Sequence, residues 1–197
     1  MNEQEIIYRG LTGEVLHDDD PQSPLEWDNL GTMVCWHSRY TLGDNHNFND
    51  SGEANEYFEE QKAVVLPIFM YDHGGIAIST GNSSYPFNCR WDSGQVGYIY
   101  VTRERIESEY GEITPEIMET VEKVLQGEVA TYNSYLQGEI YGYTIKDTEG
   151  EILDSCFGFY GHDDALVELE EQLKYQWRCV YPLLAIVEDK KERAQND

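Results

Sequence analysis

Hydrophobic positions recur along this chain with two periods, and the switches between them mark its elements. The longest apolar run, residues 63–71, reads as a buried strand in which Pro67 marks an edge or a bulge. Asp72, His73, Gly74 and Gly75 form a hairpin-type turn, and residues 76–79 are the returning strand. Residues 31–37, 96–101, 140–145 and 152–160 read as further strands, the last two joined by the turn residues Asp147 to Gly150.

The period lengthens after residue 101. A short helix is expected over 102–110, and a long one over 115–136. Thr114 caps the long helix, Pro115 suits its first position, and Gly138 stops it. Met118, Val121, Leu125, Val129, Tyr132 and Leu136 recur at helical spacing, so one face is buried. A last helix over 164–180 repeats the pattern with Leu166, Leu169, Leu173 and Trp177. A short acidic helix is expected over 54–62, and a loop over 81–90. Strands joined by short turns, with helices segregated from them, predict an α+β fold: a mostly antiparallel sheet with two long helices packed on it. Residues 1–30 read as an irregular acidic opening segment with Trp27 anchored in the core. Residues 31–187 read as a single α+β domain, and 188–197 as a polar tail.

Composition changes this picture in one respect. The chain has 197 residues, 40% of them hydrophobic and 13% aromatic, which is enough to build a core. Yet 38 carboxylates face 13 lysines and arginines, giving a net charge of -25. That field disfavours direct contact with nucleic acid or an anionic membrane. Three explanations remain: solubility, adaptation to high salt, or an acidic surface offered to a basic partner. No run of apolar residues is long enough to span a membrane, and the first ten residues lack the pattern of a signal peptide. Cys35, Cys89, Cys156 and Cys179 are widely spaced without a CxxC pair, so free buried thiols in a reducing cytoplasm are expected.

Candidate chemistry is sparse. His17, Asp18, Asp19 and Asp20 cluster, but without the spaced ligands or the glycine of a calcium loop, and read as a solvated acidic run. His73, Asp92 and Ser93 are the residues a hydrolytic enzyme would use as base, orienter and nucleophile. Nothing in their spacing requires them to meet, Ser93 lies outside any GxSxG elbow, and the three side chains are not expected to converge within hydrogen-bond reach in a cleft. Cys156, near His162, is expected to be buried by strand alternation. No metal site or cofactor is expected. What remains is the carboxylates. Glu56, Glu59 and Glu60 share one helix with Glu53, while Glu116 and Glu119 open the long helix with Glu112 and Glu122. Like charges three and four residues apart cost helix stability, so such runs mark either a solvated surface or one that resembles a phosphate backbone. The five residues Glu56, Glu59, Glu60, Glu116 and Glu119 are the candidate partner contacts.

Residues 24–44 (PLEWDNLGTMVCWHSRYTLGD), 91–101 (WDSGQVGYIYV), 138–143 (GEIYGY) and 154–161 (DSCFGFYG) resemble a family of phage and prophage proteins. The resemblance covers most of the chain between 24 and 161. That family has no assigned activity, so the resemblance implies a setting and no catalytic residues. By analogy with small acidic phage proteins, it implies a non-enzymatic inhibitor of host defence. Such a protein would engage a basic nucleic-acid-handling partner as a DNA mimic against restriction or CRISPR machinery.

Overall fold

The computed structural model describes residues 4–81, 86–87, 91–182, 184 and 186. Cys89, most of the loop expected over 81–90 and the polar tail lie outside the described residues. The fold is α+β with antiparallel sheets. Two corrections to the sequence reading come at once. There are two four-stranded sheets instead of one, and the chain divides into two compact units, residues 22–138 and residues 1–21 with 139–197.

A third correction concerns the opening segment, which is not irregular. Strands β1 (Gln4–Tyr8) and β2 (Leu11–His17) pair there as a hairpin, and β2 continues onto β7 (Tyr141–Lys146), which pairs with β8 (Ile152–Phe159). Arg9 and Gly10, at φ 53° and 92°, make the tight connection. Leu11, Gly13 and Val15 point to one face of this sheet, where helix α4 (His162–Val180) lays down Ala165, Leu169, Leu173 and Trp177. Asp147 ties the β7–β8 turn by accepting the backbone N–H groups of Glu149 and Glu151 at 2.8 and 3.0 Å.

In the other unit the sheet order is β3 (Thr32–Cys35), β6 (Ser93–Val101), β4 (Val64–Asp72), β5 (Ile76–Thr80). Pro67 lies where β4 has β6 on one side but is not yet paired with β5, and a bulge follows at Ile68/Phe69. That is the place a strand can tolerate a residue without an N–H. Because successive strand residues face opposite ways, the two faces of this sheet have separate cores. Met33, Ile68, Ile99 and Val101 meet Val121, Leu125, Val129 and Tyr132 of helix α3 (Pro115–Gln137), together with Ile106 of helix α2 (Arg103–Tyr110). Val34, Val65, Tyr98 and Tyr100 face the other way, onto Ala54 and Phe58 of helix α1 (Ser51–Glu60). This unit is therefore three layers, α1 against one face and α2 with α3 against the other. Trp27 is not a core anchor: it is 43% exposed, and Pro24 is the buried residue of the 3-10 turn Pro24–Glu26 before it.

Candidate functional site

Helix α1 starts because Asp50 accepts the backbone N–H groups of Gly52 and Glu53, at 2.8 and 3.0 Å. Ala54 and Phe58 then take the inward face, with Phe58 wedged among Phe48, Tyr57, Tyr98 and Tyr100. With the inward positions fixed, Glu53, Glu56, Glu59 and Glu60 point away from the core and all four are exposed, Glu53 accepting the backbone and side-chain N–H groups of Asn49 at 2.8 and 2.9 Å. On α3 the same logic applies. Thr114 accepts the N–H of Ile117 at 3.3 Å, Val121 and Leu125 go inward, and Glu116, Glu119 and Glu122 are exposed. The hydrogen bond from Thr114 holds the Glu116 carboxyl below the ordinary carboxylate range, helped by the helix's own backbone. Glu116 thus has a local structural role at the helix start.

The five candidate contacts fall into two groups. Glu56, Glu59 and Glu60 share one ridge, and Glu116 and Glu119 share another. Since α1 and α3 cover opposite faces of one sheet, the fold does not join the two ridges into a single band. Further exposed acids on the α3 side include Glu104, Glu107, Glu109 and Glu112, on or just after α2. Among the described residues, none of the five candidates has a lysine or arginine within 4.0 Å. Glu107, by contrast, is paired with Arg103 at 2.8 Å.

His73 and Asp92 do come together: Nδ1 lies 3.4 Å from the Asp92 carboxylate. The cause is the β4–β6 pairing, which continues past Tyr71↔Ser93 to the hydrogen bond from the Asp72 N–H to the Asp92 carbonyl. The pair is 71% and 40% exposed, on a hairpin end. It lacks the water-excluding enclosure in which a hydrolytic base gains its strength. Ser93 begins β6 opposite Tyr71.

An open groove of about 510 Å³ runs beside this hairpin. Trp36, Arg39, Asp72, Trp91, Asp92 and Gln95 are among its lining residues. Arg39 donates to Asp72 at 3.1 Å, and the Tyr40 hydroxyl donates to the same carboxylate at 3.4 Å. Sequence reasoning missed this groove. A tryptophan beside an aspartate, Trp91-Asp92, was the available signal, but the sequence reading considered Asp92 only as a hydrolytic orienter and gave Trp91 no binding role.

Other candidates resolve plainly. Among the described residues, no group of three His, Cys, Asp or Glu side chains is placed to hold a metal ion. In the 17–20 run, His17, Asp19 and Asp20 are exposed, and Asp18 accepts the backbone N–H of Asp20. The buried-thiol expectation fails at two positions, because Cys156 and Cys179 are exposed. Strand alternation puts Cys156 opposite Tyr143, but β8 is the edge of its sheet, where that face is open to solvent. Cys35 is partly buried, and burial pushes its thiol pKa up to about 12, with the nearby Asp44 carboxylate adding to the effect. No helix among the described residues is long and apolar enough to cross a membrane.

Compared with known proteins, the chain matches no family model, no curated protein and no solved structure.

Proposed function

We propose that this protein is a non-enzymatic, acidic binding protein of phage origin that engages a basic nucleic-acid-handling protein in the host cytoplasm, as a DNA mimic that inhibits a restriction or CRISPR system. The observation that carries this reading is the state of the candidate carboxylates. Glu56, Glu59, Glu60, Glu116 and Glu119 are exposed, and among the described residues no lysine or arginine stands within 4.0 Å of them. A cationic channel gains most from charges that are not already neutralised at home. Neighbours on a helix at i+3 and i+4 stand about 5–6 Å apart, close to the phosphate spacing along one strand. Because the ridges of α1 and α3 lie on opposite faces, one ridge at a time contacts a given channel.

The enzyme reading keeps one observation in its favour, the contact between His73 and Asp92. Its exposure argues for a surface polar contact, and surface pairs of this kind contribute little to stability.

The reading is tested by capturing partners from host lysate on the immobilised protein, then eluting with duplex DNA or with salt. The expected captures are basic nucleic-acid-binding proteins that duplex DNA displaces. Captures indifferent to both duplex DNA and salt would leave the acidity as a device for solubility alone.

A further inference from the structure

We propose a second binding site in this unit: a groove beside the end of β3 that takes a neutral, extended β-1,4-linked oligosaccharide, with Trp36, Tyr98 and Trp91 as its ring surfaces. The site is separate from the acidic ridges of α1 and α3 and does not depend on the role proposed for them.

An open groove of about 500 Å³ lies where the end of β3 and the first half of β6 meet the start of α1. Trp36, Tyr98, Gln95, Asn49 and Ser51 are among its lining residues. It adjoins the groove of about 510 Å³ that contains Trp91, because Trp36, Gln95 and Val96 line both. Each volume is within the range of small-molecule sites, and the two in succession suit an occupant longer than it is wide.

Charge decides the class of occupant. The field of a chain at -25 repels an anion. A cation meets lining carboxylates that are already engaged. Asp50 accepts the N–H groups of Gly52 and Glu53, Asp72 is held by Arg39 and Tyr40, and Asp92 is in contact with His73. A neutral occupant is left.

The rings decide its surface. The Trp36 indole N–H donates to the Phe48 carbonyl at 3.3 Å, which fixes the ring and withholds that N–H from a peptide carbonyl. His46 and Tyr98 meet Trp36 edge-on, at 63° and 78°, so neither lies flat over it. Trp91 is 97% exposed. A hexose ring carries C–H groups on its faces and hydroxyls around its rim. The faces match flat aromatic rings, and the rim matches groups that both donate and accept. Gln95 and Asn49 use one side-chain N–H each on Gly97 and Glu53, which leaves a second N–H and the carbonyl oxygen of each amide for a ligand. The Ser51 hydroxyl stands in the same lining. A β-1,4 linkage keeps successive rings in a straight ribbon that an elongated groove accepts, whereas an α-linked chain coils away from it.

The experiment follows the four indole N–H resonances of the full chain at physiological salt while cellohexaose or the N-acetylglucosamine hexamer is added. At least one of the two is expected to shift Trp36 and Trp91 saturably, while Trp27 and Trp177, outside the groove, stay in place. The affinity is expected to be indifferent to salt, unlike association through the acidic ridges. A Gln95→Ala, Trp91→Ala double variant, altered only at exposed positions, is expected to bind about tenfold more weakly with its unfolding midpoint unchanged. Shifts from neither hexamer, shifts of all four resonances alike, or an unchanged affinity in the double variant overturns the site. So does a proline-rich decapeptide that binds more tightly than both hexamers. None of these outcomes touches the reading of the acidic ridges, whose mark is displacement of a captured partner by duplex DNA.

Discussion

The Glu128 carboxylate accepts the backbone N–H of Gly31 at 3.0 Å and that of Leu30 at 2.7 Å, tying the approach to β3 onto α3 across nearly a hundred residues of chain. Gly31 is buried, and a side chain there would meet Leu125, Glu128 and Ile99. Neither N–H has a sheet partner, so the carboxylate supplies what the ladder does not. Glu128→Ala leaves both donors without their acceptor and is expected to cost about 1–3 kcal/mol of stability in urea unfolding. Glu128→Gln retains one acceptor oxygen and is expected to cost less. Equal losses for the two variants would mean that packing, and not acceptance, is what Glu128 provides.

The same carboxylate sets a pH dependence. Burial raises the pKa of Glu128, only partly offset by the two backbone hydrogen bonds, and burial likewise raises that of Asp44, which accepts the Met33 N–H at 2.7 Å. A carboxyl with a raised folded pKa binds its proton more tightly when folded. Its stabilising contribution is therefore full below the ordinary carboxylate pKa and is lost as pH rises through the folded value. Wild-type stability is expected to fall across that window, and the slope is expected to shrink in a Glu128→Gln, Asp44→Asn double variant. An identical slope in the double variant would place the pH dependence in the general charge of the surface instead.

Two glycines give a graded packing test. A side chain at Gly13 would meet Leu169 Cδ1 at 2.6 Å and Leu173 Cδ1 at 2.9 Å, the tips of side chains that can turn aside. A side chain at Gly97 would run into the backbone carbonyl of Val34, which cannot move without opening the β3–β6 pairing. Gly13→Ala is expected to cost about 1–3 kcal/mol, and Gly97→Ala more than Gly13→Ala. The reverse order in thermal unfolding would contradict this account of the two sheets.

Gly13 also explains why the first hairpin was not legible in the sequence. It occupies an inward position of β2, so the alternation of Leu11 and Val15 is interrupted by a residue that reads as a turn. The Arg9-Gly10 connection carried a hairpin signal, but it sat inside a polar, acidic stretch. By contrast, α3 was readable almost to the residue, because Thr114, Pro115, the apolar repeat and Gly138 all agree. The division into two units was hidden for another reason. β2 pairs with β7 across more than a hundred intervening residues, and no local pattern reports such a partner. The same holds for the site. Exposure of each glutamate followed from helix periodicity, but the opposite placement of α1 and α3 depends on sheet order.

Cysteine reactivity should separate by environment. Cys35 is held as the thiol at neutral pH by burial and Asp44, whereas Cys156 and Cys179 are exposed. Since only the thiolate attacks, iodoacetamide is expected to label Cys156 and Cys179 in the native protein and to reach Cys35 only after unfolding. Rapid native labelling of Cys35, read by peptide mass spectrometry, would show that the β3 end opens readily.

The opposite placement of α1 and α3 makes the charge hypothesis divisible. A triple reversal, Glu56, Glu59 and Glu60 to Lys, changes the α1 ridge alone, and a double reversal, Glu116 and Glu119 to Lys, changes the α3 ridge alone. A partner whose cationic channel faces one ridge gains nothing local from the other, since interactions through more than about 8–10 Å of salty solvent are largely screened. One variant is therefore expected to slow association by about tenfold or more at low ionic strength, while the other changes it little. Both should leave the unfolding midpoint nearly unchanged, with one exception. Glu116 is hydrogen-bonded at the start of α3, so the double variant should lose a little stability that Glu119→Lys alone does not. Association rates measured over a salt series decide the matter. A rate that falls with salt in the wild type, and loses that dependence in one variant only, identifies the contacting ridge. Equal small effects from both variants would mean that the partner senses total charge, and the helices would then serve solubility and not recognition.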